Sequence, residues 1–141
     1  MAARADRELT GATIVAYTVD TGETVAVGDT VKYGDADHEV ALIAAVTDKP
    51  IGVVYELGAL DGAAGDVVMV ALLTGGVVPV KLAGTATRGH SAKYSTTSGR
   101  LANAVEDVAT ASVAWSPGYF TQSGVSGDLV GLALCRHFLT E

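Results

Sequence analysis

The sequence contains two related copies of one short pattern, and this repetition constrains the fold more than any other feature. Residues 28–33 (Gly-Asp-Thr-Val-Lys-Tyr) are matched by residues 89–94 (Gly-His-Ser-Ala-Lys-Tyr), 61 positions later. Residues 64–72 (Ala-Gly-Asp-Val-Val-Met-Val-Ala-Leu) are matched by residues 126–134 (Ser-Gly-Asp-Leu-Val-Gly-Leu-Ala-Leu), 62 positions later. Two copies of one unit predict pseudo-symmetric halves that share a core.

Composition favours strands over helices. Hydrophobic residues make up 49% of the chain but aromatic residues only 6%, so we expect a core of Val, Ala and Leu. Runs rich in β-branched residues alternate with turns drawn from the 17 glycines, a pattern typical of strands. A chain of 141 residues corresponds to about one domain. The sequence therefore predicts an all-β domain, a compact barrel or sandwich with pseudo-duplicated halves.

The predicted organisation is a flexible N-terminal arm, residues 1–9, followed by a single β domain, residues 10–141. The arm lacks periodicity and mixes two arginines with two acids. Within the domain the repeat spans about residues 22–73 and 83–134. Pro79, inside an apolar run, predicts an edge strand or a bulge.

Three local expectations follow from aligning the two copies. Tyr33 and Tyr94 occupy equivalent positions, so we expect both to pack at the pseudo-symmetric centre. Residues 111–115 are a strand candidate, aligned with the strand that follows Pro50. Residues 116–126, polar and rich in glycine, are predicted to form a loop.

Charge and hydropathy exclude some partners. The net charge of −7 argues against nucleic acid, whose binders usually carry a basic face. The balance is −8 over residues 1–66 and +1 over residues 67–141, which indicates a solvated acidic face or, alternatively, steering towards a basic surface. No apolar run approaches the ~18 residues of a membrane span, and we identify no secretory signal. We expect a protein made in the cytoplasm that does not bind membranes.

No catalytic, cofactor or metal site is predicted. Cys135 and His137 share one face of a strand, but Cys135 lies in an apolar run and is expected to be a small buried hydrophobe. Residues 35–39 (Asp-Ala-Asp-His-Glu) carry ligand-type side chains without the glycine and glutamate of a calcium loop. We read them as a solvated hairpin tip. A small β-barrel enzyme would need His38 or His137 to meet a carboxylate in a pocket.

Four motifs, taken in their order along the chain, resemble those of a known protein family. They are residues 28–34, residues 47–54 (Thr-Asp-Lys-Pro-Ile-Gly-Val-Val), residues 65–72 and residues 76–80 (Gly-Val-Val-Pro-Val). In this order, over roughly residues 10–135, the chain resembles the small β-rich capsid decoration (cement) proteins of tailed bacteriophages.

The resemblance implies a virion protein that is not an enzyme and is made in the host cytoplasm. It implies binding to the outer surface of the expanded head, where the protein stabilises contacts between major capsid protein subunits. It also implies self-association, with a homotrimer favoured and a homodimer possible, and no nucleic-acid or membrane partner. The arm could add a strand to the capsid protein by β-augmentation. Candidate capsid-contacting residues are Arg4, Arg7, Leu9, Ile14 and Tyr17.

The alternative function is another β-rich virion module, a tail or fibre domain that binds a host receptor or glycan. Exposed aromatic side chains at Trp115, Tyr119 and Phe120 would favour it.

Overall fold

A computed structural model describes residues 11–57, 61–95, 97–104 and 114–139. The described residues form ten β-strands and no helix, which confirms the all-β prediction. None of them forms a helix long and apolar enough to cross a membrane. The strands are β1 (Ile14–Val19), β2 (Thr30–Tyr33), β3 (Glu39–Leu42), β4 (Gly52–Leu57), β5 (Val67–Leu72), β6 (Val77–Lys81), β7 (Ala92–Tyr94), β8 (Leu101–Asn103), β9 (Ala114–Phe120) and β10 (Leu129–Leu139).

The first five strands form the first unit, a closed barrel in the order β1-β3-β2-β4-β5. Strand β1 pairs antiparallel with β5 and parallel with β3, which closes the barrel. The interior of so small a barrel is filled by side chains, and branched residues suit its pleated wall. The buried cluster consists of Val19, Val25, Val31, Val40, Ile51, Val54, Val68 and Val70.

The last five strands form the second unit, which repeats the pairing of the first. Strand β6 pairs with β10 as β1 pairs with β5, and the hairpin β7–β8 repeats β2–β3. Val31 pairs with Leu42 in the first hairpin, and Ala92 pairs with Asn103, both 61 positions later, in the second. A parallel bridge from Leu82 to Leu101 repeats the pairing of β1 with β3. The fold therefore has pseudo-duplicated halves.

Strands β4 and β9, the fourth strands of the two units, are also equivalent. The residues that match are not those that the sequence alignment paired. The amide of Val54 donates to the Asp29 carbonyl (2.8 Å), and the amide of Phe120 donates to the His90 carbonyl (2.9 Å). Gly118–Phe120 thus occupy the place of Gly52–Val54, and the described residues Ala114 and Trp115 do not. Residues 111–113 of the predicted strand lie outside the described residues.

The predicted loop over residues 116–126 is wrong in its first part, because β9 continues to Phe120. Pro117 and Gly118 are residues typical of loops, and they led to the wrong prediction. Pro117 lies opposite a bulge in β10, where Cys135 and Arg136 fall between paired residues and the missing N–H of proline does not interrupt the ladder. The prediction for Pro79 is confirmed, because β6 is an edge strand of its sheet.

A second buried cluster crosses the boundary between the two units, and we call this boundary the seam. Ile43, Val53 and Ala71 of the first unit pack in one cluster with side chains of the second unit. The second unit supplies Val78, Val80, Leu82, Ala86, Ala92, Leu101, Phe120, Val130, Leu132 and Leu134. Because this core is continuous across the seam, we infer that the two units move as one body.

The two equivalent tyrosines do not meet at the centre, so that expectation is wrong. Tyr94 packs against the shared core, but Tyr33 is 65% exposed at the end of β2. The reason is that the units share one core asymmetrically. The second unit's hairpin faces that core, whereas the end of the first unit's hairpin faces solvent.

Asp29 is a buried carboxylate in the turn before β2, and its counterpart in the second unit is His90. Its Oδ2 accepts a hydrogen bond from the Ala26 amide (2.9 Å). Burial raises the pKa of Asp29 above its ordinary value of 3.8, although the Ala26 amide and the charges of Arg100 and Lys81 oppose the shift.

We expect Gly118→Ala to lower the free energy of unfolding by about 3 kcal/mol, at the upper end of typical overpacking costs. A Cβ at Gly118 would overlap the backbone carbonyl of Ala133 across the strand pair. Gly127→Ala is the control, because its position has open space and only a positive φ of 92°. We expect it to cost about 1 kcal/mol. Chemical denaturation of both variants measures the difference, and equal losses would contradict the packing argument.

We expect Asp29→Asn to remove part of the pH dependence of stability. A folded pKa above the ordinary value means that the folded protein binds more protons, so its stability falls as pH rises through that window. Asparagine keeps an acceptor for the Ala26 amide but does not ionise. The variant's free energy of unfolding should therefore improve relative to wild type as the pH rises above the ordinary carboxyl pKa of about 4. Exposed Asp61→Asn is the charge-matched control in denaturation series, and the same trend there would refute the assignment to Asp29.

Candidate functional site

A cleft of about 490 Å³ lies on the seam, and we call it the seam cleft. It is lined by Lys32, Tyr33, Lys49, Ile51 and Arg136. A smaller depression of about 160 Å³ shares Tyr33, Ile51 and Arg136 with it. This depression extends along the surface to Leu72, Leu73 and Thr74.

One wall of the seam cleft is an extension found only in the second unit. Strand β10 has 11 residues where its counterpart β5 has 6, and its last residues pair with the start of β9. We call residues 114–117 and 135–139 the extension ribbon. It is fixed to the first unit by two hydrogen bonds, from the Trp115 amide to the Val46 carbonyl (2.9 Å) and from Arg136 Nη1 to the Pro50 carbonyl (3.2 Å). These two bonds attach the ribbon to the first unit beside the cleft.

Aromatic and cationic side chains meet where the ribbon reaches the first unit. The rings of Trp115 and Phe138 lie with centroids 4.1 Å apart. Lys49 Nζ lies 5.3 Å from the Trp115 ring centroid and the Arg136 guanidinium lies 5.5 Å from it. Both distances allow cation–π attraction, which holds two like charges on one ring.

The other cation of the cleft, Lys32, is already paired. Its Nζ lies 3.1 Å from Asp48 Oδ2. Burial acts to raise the pKa of Asp48, but the Ala44 amide and Lys32 outweigh it, so the pKa is lowered. Within the described residues, neither Lys49 nor Arg136 forms an ion pair with a carboxylate. The seam cleft therefore has positive charge that the described acids do not neutralise.

The predicted contact residues of β1 lie beside this surface. Ile14 and Tyr17 are half-buried; Ile14 packs against the shared core, and the Tyr17 ring meets Tyr33 edge-on at 6.4 Å. Burial, and secondarily the neighbouring Tyr33, raises the pKa of Tyr17. Residues 14–17 pair with β5 only, because β3 joins β1 at Thr18. The remaining predicted contacts, Arg4, Arg7 and Leu9, lie outside the described residues.

The histidine and cysteine of β10 do not form the dyad that their spacing allowed. His137 Nδ1 lies 2.7 Å from the Cys135 carbonyl oxygen, and its Nε2 lies 3.1 Å from Ser91 Oγ. Tyr119 stacks on the imidazole at 4.5 Å. Cys135 is exposed, so the expectation of a buried thiol is wrong; the bulge turns it out of the core.

The described residues offer little else for catalysis. No described carboxylate hydrogen-bonds to His137, and His38 lies exposed at the β2–β3 tip. The described residues also contain no group of three or more metal-ligating side chains. Packing of the extension ribbon explains the His137 contacts.

Sequence reasoning missed the seam cleft, because its lining comes from three separated segments, residues 32–33, residues 49–51 and Arg136. Lys49, Trp115 and Arg136 share no spacing pattern, and only the folded seam brings them together. One signal was available. The apolar run that ends at Phe138 is longer than its repeat partner, which ends at Leu72, and this excess length marks the extension ribbon.

Comparisons with known proteins bear on the fold and the family. Residues 3–134 match the model of a family described as structural cement protein (E217 gp24/Pam3 gp6). Among solved structures, the chain is similar to the N base of the head fiber gp8.5 of bacteriophage phi29, with a TM-score of 0.62 and 19% identity. That alignment covers 92% of this chain and 100% of the other. No curated protein matches the sequence.

The head-fiber likeness, at this identity, is a likeness of fold. The family match covers nearly the whole chain and agrees with the resemblance carried by the four motifs. It implies a structural protein, associated with the virion, that interacts with capsid proteins and stabilises the capsid. The chain belongs to the family of phage structural cement proteins.

Proposed function

We propose that this protein binds the outer surface of the expanded phage head and bridges neighbouring major capsid protein subunits. The observation that carries the proposal is the core shared across the seam, which fixes the two units relative to each other. A body that clamps two subunits must hold its contact surfaces at one separation under load. The closed first barrel and the seam core together supply that rigidity.

A rigid bridge also accounts for selectivity between head states. Expansion changes the distance between neighbouring capsid subunits, and a body with fixed contact separation fits only one of the two spacings. Many identical copies act on one shell, so each contact can be weak while the array as a whole resists disruption.

Self-association forms part of the proposal, with a homotrimer favoured over a homodimer. Its support is a set of large apolar side chains that are more than half exposed and could be covered by another chain. Outside the seam cleft they are Val67 (53%) and Val125 (61%).

The fibre-type alternative has weaker support. Of the three aromatic residues that would favour it, Phe120 is buried, Trp115 is half-buried and only Tyr119 is exposed. The head-fiber base of phi29 has a related fold, so fold alone does not separate the two functions.

Cosedimentation with phage heads tests the proposal. We expect saturable binding to expanded, undecorated heads, no binding to unexpanded proheads, and decorated heads that resist higher temperature. Equal binding to both particles would contradict the bridging mechanism. Binding to neither particle, with binding to host cell envelopes, would favour the fibre-type alternative.

We expect deletion of residues 1–9 to weaken binding to expanded heads by about tenfold without changing the thermal unfolding midpoint. The deleted arm carries Arg4, Arg7 and Leu9, which we propose as capsid contacts, and main-chain pairing by an arm adds affinity to an anchored body. A variant with Arg4→Glu and Arg7→Glu separates charge from main-chain pairing. Wild-type affinity in the deletion variant would remove the arm from the mechanism.

A further inference from the structure

We propose that the seam cleft binds an extended, acidic segment of the capsid protein, with a carboxylate seated against Lys49 and Arg136. The inference rests on the proposed function and deepens it by naming the chemistry of the contact. The cleft is the place where the described residues leave cationic charge unpaired beside exposed aromatic rings.

Charge complementarity indicates what the cleft binds. The chain carries a net charge of −7, and Lys32 in the same cleft is paired with Asp48 at 3.1 Å. Lys49 and Arg136 instead converge on one ring, Trp115, at 5.3 and 5.5 Å. Both residues line the seam cleft, so a carboxylate seated there would be attracted by two positive charges.

The geometry of Arg136 also suits a carboxylate. Its Nη1 donates to the Pro50 carbonyl at 3.2 Å, which orients the guanidinium without using all of its five N–H donors. The remaining donors can meet the two oxygens of a carboxylate in the bidentate arrangement that arginine favours.

The shape of the surface indicates an extended segment with apolar residues beside the acid. Tyr33 and Phe138, both more than half exposed, flank the cationic centre. The adjoining depression continues from Ile51 to Leu72 and Leu73. A strand-like segment that alternates acidic and apolar side chains would cover both depressions.

Two other occupants fit less well. Single-stranded nucleic acid also uses aromatic rings and cations, but it needs a basic groove that follows several phosphates. Here the cleft offers two cations that no described carboxylate pairs with, on a protein of net charge −7. A second copy could insert the acidic β2–β3 tip, but residues 34–38 (Gly-Asp-Ala-Asp-His) offer no large apolar side chain for the adjoining depression.

Charge reversal at the cleft tests the proposal with expanded heads. We expect the double variant Lys49→Glu, Arg136→Glu to bind at least about tenfold more weakly than wild type, because like charges would then oppose each other. Arg88→Glu is the charge-matched control for the single variant Lys49→Glu, since Arg88 is an exposed cation outside the cleft, and it should bind within about twofold of wild type. Lys49→Glu alone keeps the Arg136 bond to Pro50, so it reports on charge if the double variant is unstable.

The outcomes separate the two proposals. Wild-type protein that fails to bind heads refutes the proposed function. Wild-type protein that binds, with cleft variants that match the Arg88→Glu control, refutes the cleft inference alone. Loss of self-association in the cleft variants, seen by sedimentation, would refute the cleft inference and would indicate that a second copy of the chain occupies the cleft.

A second readout tests the cleft without any head. Trp115 is the single tryptophan of the chain, so its fluorescence reports on the cleft directly. We expect a saturable change with the peptide acetyl-Gly-Glu-Leu-Glu-Gly-amide at millimolar concentration, weakened by salt and absent in the double variant. An equal response to the glutamine version, no response, or tighter binding of an oligothymidine strand would overturn the carboxylate assignment.

Discussion

Burial of aliphatic side chains across the seam is the interaction on which the rest of this structure depends. The first unit closes on its own valine cluster, but the second unit completes its core only against Ile43, Val53 and Ala71 of the first. Phe120, the largest fully buried side chain, belongs to this shared cluster. Fully burying one such side chain is worth about 2–3 kcal/mol, so a cluster of this size makes separation of the units costly.

The same packing creates the surface that we propose to be functional. Since the second unit lies against the first, its extension ribbon reaches the β3–β4 connection and contacts it through Trp115 of β9 and Arg136 of β10. The first unit has no strand extension of this kind, so the two pseudo-equivalent halves present different surfaces. A duplicated body can in this way hold a rigid core while only one half carries the binding chemistry.

The parts of the fold that the sequence predicted are those fixed by local chemistry. Runs of β-branched residues predicted strands, and the repeated motifs predicted two equivalent units. The predictions were wrong where contacts between distant segments outweigh the local preferences of the residues. Pro117 and Gly118 are typical loop residues, yet a bulge in β10 accommodates the proline, and the close approach of Ala133 requires the glycine. The seam cleft was missed because contact between distant segments leaves no periodic trace in either one.

By itself the sequence determined an all-β domain of two related units and, through its motifs, a family of structural cement proteins. Both follow from short-range patterns: the runs of β-branched residues, the glycine turns, and the order of matched segments. Only the tertiary structure decided how the units share a core, which tyrosine faces solvent, and which cations meet at Trp115. The physical reason is that these features depend on the relative placement of segments far apart in the chain, which long-range burial sets and local sequence does not encode.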